Sequence, residues 1–291
     1  MTSITVALPY YNAPIEYVEV AIRSLLAQTI SSWVGFVLDD SPDGSPAVEG
    51  LVRRFADKRL RYVRNEGPHG IGHAWNACRR VTQTELTTLL HTDDAFEPNY
   101  IQTIVELSEA FPEASIYFCG ASIVDAHGRP CFSLPDRIKD YIRPKSEPIV
   151  LSGVHGCQAI TVGDFIPCPT MTYRNSQRRF SGVYQFVLDW RFVLEELFAG
   201  NTIVGTHRKA YRYRRHNGQA TSALSRSGKR FVEESEILDW IELEARARGW
   251  RSVASAAKRR MIFRLNVSYE MIRDTAARRP IDLRKIRYIL G

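Results

Sequence analysis

Two adjacent carboxylates, Asp93 and Asp94, directly follow a short apolar run in the segment LTTLLHTDDAFEPNY (86–100). Neighbouring acids at the end of a strand suit a hard divalent cation whose other ligands are water and diphosphate oxygens. Such a cation would act as a Lewis acid and offset the charge of a departing diphosphate. The sequence TDD is also typical of a helix cap, here before a helix that begins near Pro98. The motif alone leaves both interpretations open.

A second acid pair, Asp39 and Asp40, ends the run WVGFVLDD and precedes SPDGS, whose residues favour a turn. By itself this pair would indicate an ordinary turn. Two acid pairs after two strand-like runs instead indicate a ligand site.

The segments that must position these acids alternate between strand-like and helical patterns of apolar residues. Short apolar or β-branched runs predict strands at ITVAL (4–8), WVGFVLDD (33–40), LRYVRNEG (60–67), LTTLLHTDD (86–94) and SIYFCGASIVD (115–125). Helical segments are predicted between them, at 14–29, 41–56, 72–82 and 99–111. The alternation predicts an α/β fold with a mostly parallel central sheet and helices on both faces. Ligands of such sheets bind beyond the carboxyl ends of the strands, where both acid pairs lie.

The C-terminal half is less regular in sequence. Residues 125–156 are rich in proline and charge and predict irregular structure. DWRFVLEELFAG (189–200) predicts a helix ended by glycine, and the sequence from Lys229 onward is helical in pattern. The three glycines of GPHGIGHAWN do not form a dinucleotide fingerprint, because the first βα turn is PYYNAP. We expect them to admit a ligand or a neighbouring loop close to the backbone.

Composition and charge limit the class of partner. The chain of 291 residues is 44% hydrophobic, enough for one large domain with or without an appendage. Its net charge of +7 favours an anionic partner such as phosphate, a nucleotide or an acidic membrane face. Residues 246–291 carry 13 Lys or Arg against 3 Asp or Glu, so the net charge there is 13 minus 3, or +10. This extension predicts either contact with an anionic membrane, or a packed appendage or homodimer contact with a solvated basic face.

The cysteines indicate the cellular compartment. The five residues are odd in number, widely spaced and never in a CxxC pair, so we expect reduced thiols rather than disulfides or a zinc site. No basic leader precedes the first predicted strand, and no apolar run approaches the roughly 18 residues of a membrane span. We therefore expect a cytoplasmic protein, either soluble or peripheral at the inner membrane face.

Seven fragments of the chain together resemble one enzyme family. They are LPYYN, SLLAQT, VLDD, NEG followed by GIGHAWN, LLHTDDAFEPNY, DWRFVLEELFAG and YRRHNGQATS. Their order and approximate spacing, from about Ser3 to Ser222, are similar to those of the inverting family 2 nucleotide-sugar glycosyltransferases of GT-A fold. The resemblance implies transfer of a sugar from a nucleotide diphosphate to a hydroxyl group of a polysaccharide, a glycolipid or a natural product.

The resemblance also implies a division of the chain. A GT-A glycosyltransferase domain would span 1–222, with about 1–125 on the nucleotide-sugar side and about 126–222 on the acceptor side. The basic helical extension would then be 223–291.

Five residues are implied as nucleotide-sugar ligands outside the second acid pair. Tyr11, with Pro9 beside it, matches an aromatic residue that packs against the nucleobase. Asp40 matches the acid that accepts the base imide N–H, with Asp39 as its neighbour. Asn76 matches an asparagine beside the sugar-diphosphate.

The acid pair that follows the fourth strand resembles a DxD-type motif. Asp93 would bind the ribose or the sugar, and Asp94 would bind Mn²⁺ or Mg²⁺. His216 matches a position that approaches the metal or the diphosphate. Three arginines beside it are further candidates for phosphate, because guanidinium groups match phosphate oxygens: Arg212, Arg214 and Arg215.

Asp189 matches the catalytic base of the family. In an inverting displacement one carboxylate takes a proton from the acceptor hydroxyl as the anomeric carbon is attacked opposite the diphosphate. Asp189 is also well placed to cap the predicted helix, and both roles are compatible. Leu188 stands where the family usually has glutamate. Trp190 would either wall the acceptor site or pack in the core, and CPTMTYRNS (168–176) would lie in the acceptor wall.

Two other classes of function remain open at this point. A metal-dependent nucleotidyltransferase would also use acids at strand ends, but it would need a basic, glycine-rich triphosphate loop that the N-terminal region lacks. A non-enzymatic, basic nucleic-acid-binding protein would use the C-terminal extension. Acids at two strand ends argue against nucleic acid as a partner of the α/β body.

Overall fold

A computed structural model describes residues 2–216, 218–219, 224–225, 227–276 and 288. Within these residues the chain forms nine strands: β1 (Ile4–Tyr10), β2 (Trp33–Asp39), β3 (Leu60–Arg64), β4 (Leu86–Leu89), β5 (Ala95–Phe96), β6 (Ile116–Val124), β7 (Ile149–Leu151), β8 (Thr172–Arg174) and β9 (Ile203–Arg214). They belong to a single sheet in the order β3-β2-β1-β4-β8-β6-β9-β5, with β7 also paired to β9.

The described residues also form ten α-helices. These are α1 (Ile15–Leu26), α2 (Pro46–Phe55), α3 (Ile71–Val81), α4 (Tyr100–Ala110), α5 (Leu134–Ile142), α6 (Gly153–Val162), α7 (Leu188–Phe198), α8 (Lys229–Ala247), α9 (Arg251–Arg259) and α10 (Met261–Ala276). A short 3-10 turn, Cys168–Thr170, precedes β8. The predicted α/β fold is therefore confirmed.

The N-terminal half of the sheet is parallel, as the alternating pattern predicts. Strand β1 pairs in parallel with β2 and with β4, and β2 pairs in parallel with β3. The carboxyl ends of these strands meet at one edge, where the Asp40 N–H donates to the Tyr10 carbonyl at 2.9 Å. Both acid pairs therefore leave the sheet on the same side.

The C-terminal half of the sheet is mixed rather than parallel. Strand β8 runs antiparallel to β4 and β6, and β5 and β7 run antiparallel to β9. Strands β5, β7 and β8 have only two or three residues each, too few to show a period of two in the sequence.

The prediction of irregular structure for residues 125–156 is wrong. This region contains α5, β7 and the start of α6. Helix α5 buries none of its side chains fully, so its proline and charged residues face solvent without breaking the helix. Asp136 in its first turn accepts from the Ser133 hydroxyl and from Arg215, and these contacts hold the helix onto the end of β9.

The core lies in two hydrophobic clusters, one of which includes the C-terminal helices. Buried side chains of α8, α9 and α10 pack with α6 and α7: Phe231, Ile237, Ile241, Val253, Phe263 and Val267. The predicted helical pattern from Lys229 is confirmed as far as Ala276, and the boundary near residue 222 stays a prediction. None of the helices in the described part of the chain is long and apolar enough to cross a membrane.

We expect Ile241→Ala on α8 to lower the free energy of unfolding by about 2–5 kcal/mol, because it opens a cavity in the shared core. The Ile241 side chain is 0% exposed, whereas Leu243, two residues away, is 69% exposed. Leu243→Ala is the matched control and should change the free energy by less than about 0.5 kcal/mol. Urea unfolding measures both; equal, small effects would mean that α8 does not share the core.

Candidate active site

The first acid pair fixes the loops that follow β2 and β3. Asp39 is fully buried; its carboxylate accepts from the Ser41 N–H at 2.8 Å and from the Tyr62 hydroxyl at 2.5 Å. Burial, together with this bond to Asp39, raises the pKa of Tyr62 to about 12, so Tyr62 remains a hydrogen-bond donor. The Asp39 carboxylate therefore secures the turn that follows β2.

Asp40 holds the loop that leads into α3. Its Oδ1 accepts from Asn65 Nδ2 at 2.6 Å and lies 3.1 Å from His69 Nδ1, and its Oδ2 accepts from the Gly70 N–H at 3.0 Å. A carboxylate offers about four lone-pair sites, so these three contacts leave room for one further donor. A role as acceptor for a base imide N–H stays a prediction.

Tyr11 extends from the end of β1, next to this acid pair. Its side chain is 59% exposed, and Asn12 after it has a φ of 51°. An exposed aromatic ring beside a strand end is a suitable surface for stacking a flat base. Pro9 lies in β1 opposite Leu38 and shapes the strand end from which Tyr11 projects.

Asn76 ties α3 to the segment before α7. Its amide donates to the Phe180 carbonyl at 2.9 Å and accepts from the Phe180 N–H at 2.8 Å. A Cβ on Gly72 would lie 2.3 Å from the Ser181 carbonyl oxygen, so glycine is required here for the close approach of this segment. The expected loop contact is thus observed, and a direct contact of Asn76 with a donor substrate stays a prediction.

The second acid pair forms a compact cluster with His91. One ligand atom from each of His91, Asp93 and Asp94 can be chosen so that all lie within 4.8 Å of one another. Asp94 is buried, with Oδ1 accepting from the Arg214 N–H at 2.8 Å and Oδ2 accepting from the Tyr211 hydroxyl at 3.2 Å. The short pairing of β5 with β9 brings these donors to the end of β4. Helix α4 has Asn99 as its N-cap, so the helix-cap interpretation of the acid pair is wrong.

The electrostatics of this cluster favour a cation. Burial and the neighbouring negative charge of Asp93 raise the pKa of Asp94 well above its usual value. Burial also acts to raise the pKa of Asp93. A hydrogen bond with His216 and the charge of the nearby His91 outweigh this effect, so the pKa of Asp93 is lowered. Burial also lowers the pKa of His91, and its Nε2 has no hydrogen-bond partner among the described residues. A neutral imidazole and two carboxylates are a suitable donor set for a divalent cation such as Mn²⁺.

His216 lies beside the acid pair. Its Nε2 is 3.1 Å from Asp93 Oδ2, and its ring meets the edge of the Tyr17 ring with centroids 5.4 Å apart. His216 thus contacts Asp93, and its direct binding of a metal stays a prediction.

The arginines of β9 and of the residue after it bind protein groups. Arg214 Nε donates to the Asp93 carbonyl at 2.6 Å, and its Nη1 donates to the Ala126 carbonyl at 3.0 Å. Arg212 pairs with Glu97 at 2.7 Å and Arg215 with Asp136 at 2.8 Å. Each guanidinium thus has a partner within the protein, and a role as phosphate ligand stays a prediction for all three arginines.

Asp189 lies in the first turn of α7 and is nearly buried. After burial itself, the charge of Asp189 and its hydrogen bond with the Cys168 thiol raise the pKa of Cys168 well above its usual value. Its charge also acts on His91 and on Asp164. Asp189 therefore lies near both the acid cluster and the loop after α6. The N-cap of α7 is Val187, so the capping role predicted for Asp189 is wrong.

The segments beside Asp189 belong largely to the core. The Trp190 indole N–H donates to the Ile160 carbonyl at 3.1 Å, which favours the core interpretation of this residue. The segment predicted as acceptor wall forms the turn at Cys168–Thr170 and the central strand β8. Within this segment the charge of Asp189 acts on both Cys168 and Tyr173 and helps burial to raise the pKa of each. All five cysteines of the chain are free thiols, as expected.

Comparison with known proteins identifies the family. Residues 5–162, more than half of the chain, match the model of glycosyl transferase family 2. The chain belongs to this family. An uncharacterized glycosyltransferase of Rickettsia bellii is 26% identical over 161 residues, and the match covers 54% of the present chain and 23% of the relative. A putative colanic acid biosynthesis glycosyl transferase of Escherichia coli, WcaA, is 26% identical over 108 residues, covering 35% of the present chain and 39% of the relative.

Solved structures show the same GT-A fold. Residues 1–349 of TarS from S. aureus superpose with a TM-score of 0.64 at 15% identity, covering 89% of the present chain and 71% of that one. The complex of the same protein with UDP-GlcNAc superposes with a TM-score of 0.63 at 16% identity, covering 84% and 66%. The chain spans about a quarter of its Rickettsia relative, whereas it covers most of the TarS structure. Family membership favours glycosyl transfer over nucleotidyl transfer and over nucleic-acid binding.

Asp164, beside Asp189, gives the site a measurable pH dependence. Burial, opposed by Lys139 at 3.9 Å and reinforced by Asp189, raises the pKa of Asp164 to about 7. Between pH 4 and pH 7 the folded chain therefore keeps a proton that the unfolded chain has lost, and stability falls as pH rises through this window. The Asp164→Asn variant has no ionisable group at this position, so it should not lose stability in this way as the pH rises.

We expect the melting temperature of Asp164→Asn, relative to that of the unsubstituted protein, to be higher at pH 8 than at pH 4. Asp57→Asn is a control of opposite sign, because a hydrogen bond from Arg59 lowers the pKa of Asp57. A difference between Asp164→Asn and the unsubstituted protein that does not change with pH would show that Asp164 ionises normally. Differential scanning fluorimetry at both pH values measures this.

Proposed function

We propose that the chain is a metal-dependent inverting glycosyltransferase that moves a sugar from a UDP-sugar to a hydroxyl acceptor. The carrying observation is the His91–Asp93–Asp94 cluster at the end of β4, with Asp189 close enough to act on His91. The TarS complexes with UDP-GlcNAc and with UDP support a uridine diphosphate donor. The acceptor would be a glycan, a lipid-linked sugar or a small molecule.

The donor would lie along the carboxyl ends of β1, β2 and β4. Tyr11 offers an exposed ring to the base, Asp39 and Asp40 form the edge at the end of β2, and Asp93 reaches the ribose or the sugar. Asp94 would hold Mn²⁺ or Mg²⁺ together with His91. His216, which contacts Asp93, would lie close to the cation. When bound, the cation offsets the negative charge of the diphosphate.

Asp189 would perform the proton transfer. As the acceptor oxygen attacks the anomeric carbon, the bond from that carbon to the diphosphate oxygen breaks, and its electron pair leaves with UDP. The acceptor proton passes to the Asp189 carboxylate. Attack opposite the leaving group inverts the anomeric configuration. Because Asp189 is almost buried at the start of a helix, its carboxylate is held in place before the acceptor binds.

We expect Asp94→Asn to abolish the stabilisation of the protein by UDP with Mn²⁺. At 100 times its dissociation constant a ligand adds about 2.7 kcal/mol, and this increment should be lost with the cation. The substitution keeps the shape of the side chain and removes a carboxylate whose pKa is already raised, so the fold should persist.

A thermal-shift titration of UDP, with Mn²⁺ and with EDTA, measures this. Asp57→Asn is the control, because Asp57 pairs with Arg59 in the turn before β3 rather than at the acid cluster. If Asp94→Asn keeps a full UDP shift that depends on Mn²⁺, Asp94 does not bind the metal.

The C-terminal helices support a second partner, an anionic membrane. Four exposed apolar residues project from one side of α10, at spacings of four, four and three: Met261, Leu265, Tyr269 and Ile272. They lie opposite the buried Phe263 and Val267. Over the described residues 246–276 eight Lys or Arg stand against two Asp or Glu, so the net charge is 8 minus 2, or +6, which would repel a second copy of this part of the chain and attract anionic lipid. We therefore propose membrane contact rather than a homodimer through this face.

We expect the protein to sediment with vesicles that contain phosphatidylglycerol and not with pure phosphatidylcholine. The double variant Leu265→Ser and Ile272→Ser should lose most of this binding, because it removes apolar area from the stripe. Leu243→Ser, an exposed leucine on α8 outside the stripe, is the control. Binding that survives the double substitution would contradict docking through α10, and concentration-dependent dimerisation without vesicle binding would favour the homodimer.

A further inference from the structure

The start of α7 is held by a side chain from the C-terminal extension. The N-cap residue, Val187, provides no side-chain hydrogen bond to the first turn of the helix. Instead, the carboxylate of Glu233 on α8 accepts backbone N–H groups from three consecutive residues. Gln185 donates at 3.0 Å and 3.1 Å, Phe186 at 2.6 Å and Val187 at 3.3 Å.

Glu233 is a buried carboxylate that hydrogen-bonds to backbone N–H groups in place of water. Its side chain is only 4% exposed, and Lys229 Nζ is 3.9 Å away. A buried carboxylate is costly unless hydrogen bonds compensate for lost water, and here backbone N–H groups supply most of that compensation. The negative charge also lies at the helix end that carries a partial positive charge. Glu233 and the start of α7 therefore stabilise each other.

We infer that Glu233 is a positioning residue for Asp189. Asp189 follows Val187 by two residues, so the backbone that Glu233 holds determines where the Asp189 carboxylate lies. The inference rests on the proposed function, in which Asp189 accepts the proton. It also gives α8 a part in catalysis, because a residue of the C-terminal extension completes the support of the proposed base.

Glu233→Gln tests the contact with little change in volume. The new amide can accept through one oxygen, but its NH₂ group faces N–H donors, so the bonds to residues 185–187 cannot all remain. The matched control is Glu234→Gln, which removes the neighbouring buried carboxylate on α8. Glu234 is 7% exposed and pairs with Arg230 at 3.1 Å, and it makes no bond to residues 185–187.

We expect two changes in Glu233→Gln that Glu234→Gln does not show. Amide hydrogen exchange of the peptide covering 183–190 should quicken by about tenfold or more, because local opening becomes easier. The kcat of sugar transfer, measured as UDP release from a UDP-sugar in the presence of acceptor, should fall about tenfold to a hundredfold, since small misplacements of a catalytic group are costly. The KM for the donor and the UDP-induced thermal shift should stay unchanged.

The outcomes separate this inference from the function on which it rests. Unchanged exchange in Glu233→Gln overturns the inference whatever the activity, and quicker exchange with an unchanged kcat overturns the positioning role. An equal loss of kcat in Glu234→Gln would also overturn it, because the effect would be general to α8. If Asp189→Asn keeps full transfer, the proposed base is wrong, and the exchange result still decides the contact of Glu233.

Discussion

The burial of Asp94 is the constraint on which the site depends. Its carboxylate joins the end of β4 to β9 through the Tyr211 hydroxyl and the Arg214 N–H, and so links the parallel and mixed halves of the sheet. Burial, and after it the negative charge of the adjacent Asp93, raises the pKa of Asp94 well above its usual value, and so both make its ionised form costly. A divalent cation would relieve this cost. The same contacts that complete the sheet therefore hold the carboxylate on which the proposed metal site depends.

Asp189 is held to this site by a separate set of contacts. Helix α7 packs against α6 through the Trp190 indole, and its start is bound by Glu233 of α8. The proposed donor side thus depends on the ends of parallel strands, whereas the proposed base depends on helices from the C-terminal half. The two meet at His91, since the charges of Asp93 and Asp189 both act on its pKa.

Local patterns in the sequence predicted the parallel half and its acid pairs. Each strand there has at least four residues. Asp39 ends β2 and Asp40 follows it, whereas a short segment separates β4, which ends at Leu89, from Asp93 and Asp94. Asp189 was found by resemblance, and its position in the first turn of α7 agrees with the predicted helix. The local sequence pattern gives no role to His91, although it lies two residues before Asp93 in the same motif. The role of His91 as a candidate metal ligand appears only in the fold, where its ring lies beside the acid pair and burial lowers its pKa.

The remaining features depend on contacts between distant residues. Arg214 lies 120 residues from Asp94 in sequence, and Glu233 lies 47 residues from Phe186. No local periodicity records such pairs, so the sequence predicts neither the contact of Arg214 with Asp94 nor a role for Glu233. The sequence of residues 125–156 does not predict α5 for a related reason. This helix is stabilised by the contact between Asp136 and Arg215 rather than by a buried apolar face.

The most direct test of the central claim separates binding from chemistry at Asp189. UDP binding with Mn²⁺ and UDP release from a UDP-sugar in the presence of acceptor are measured on the unsubstituted protein and on Asp189→Asn. The account predicts equal UDP affinity and a loss of turnover of at least about a hundredfold, the contribution typical of a positioned base. Full turnover in Asp189→Asn would contradict the account.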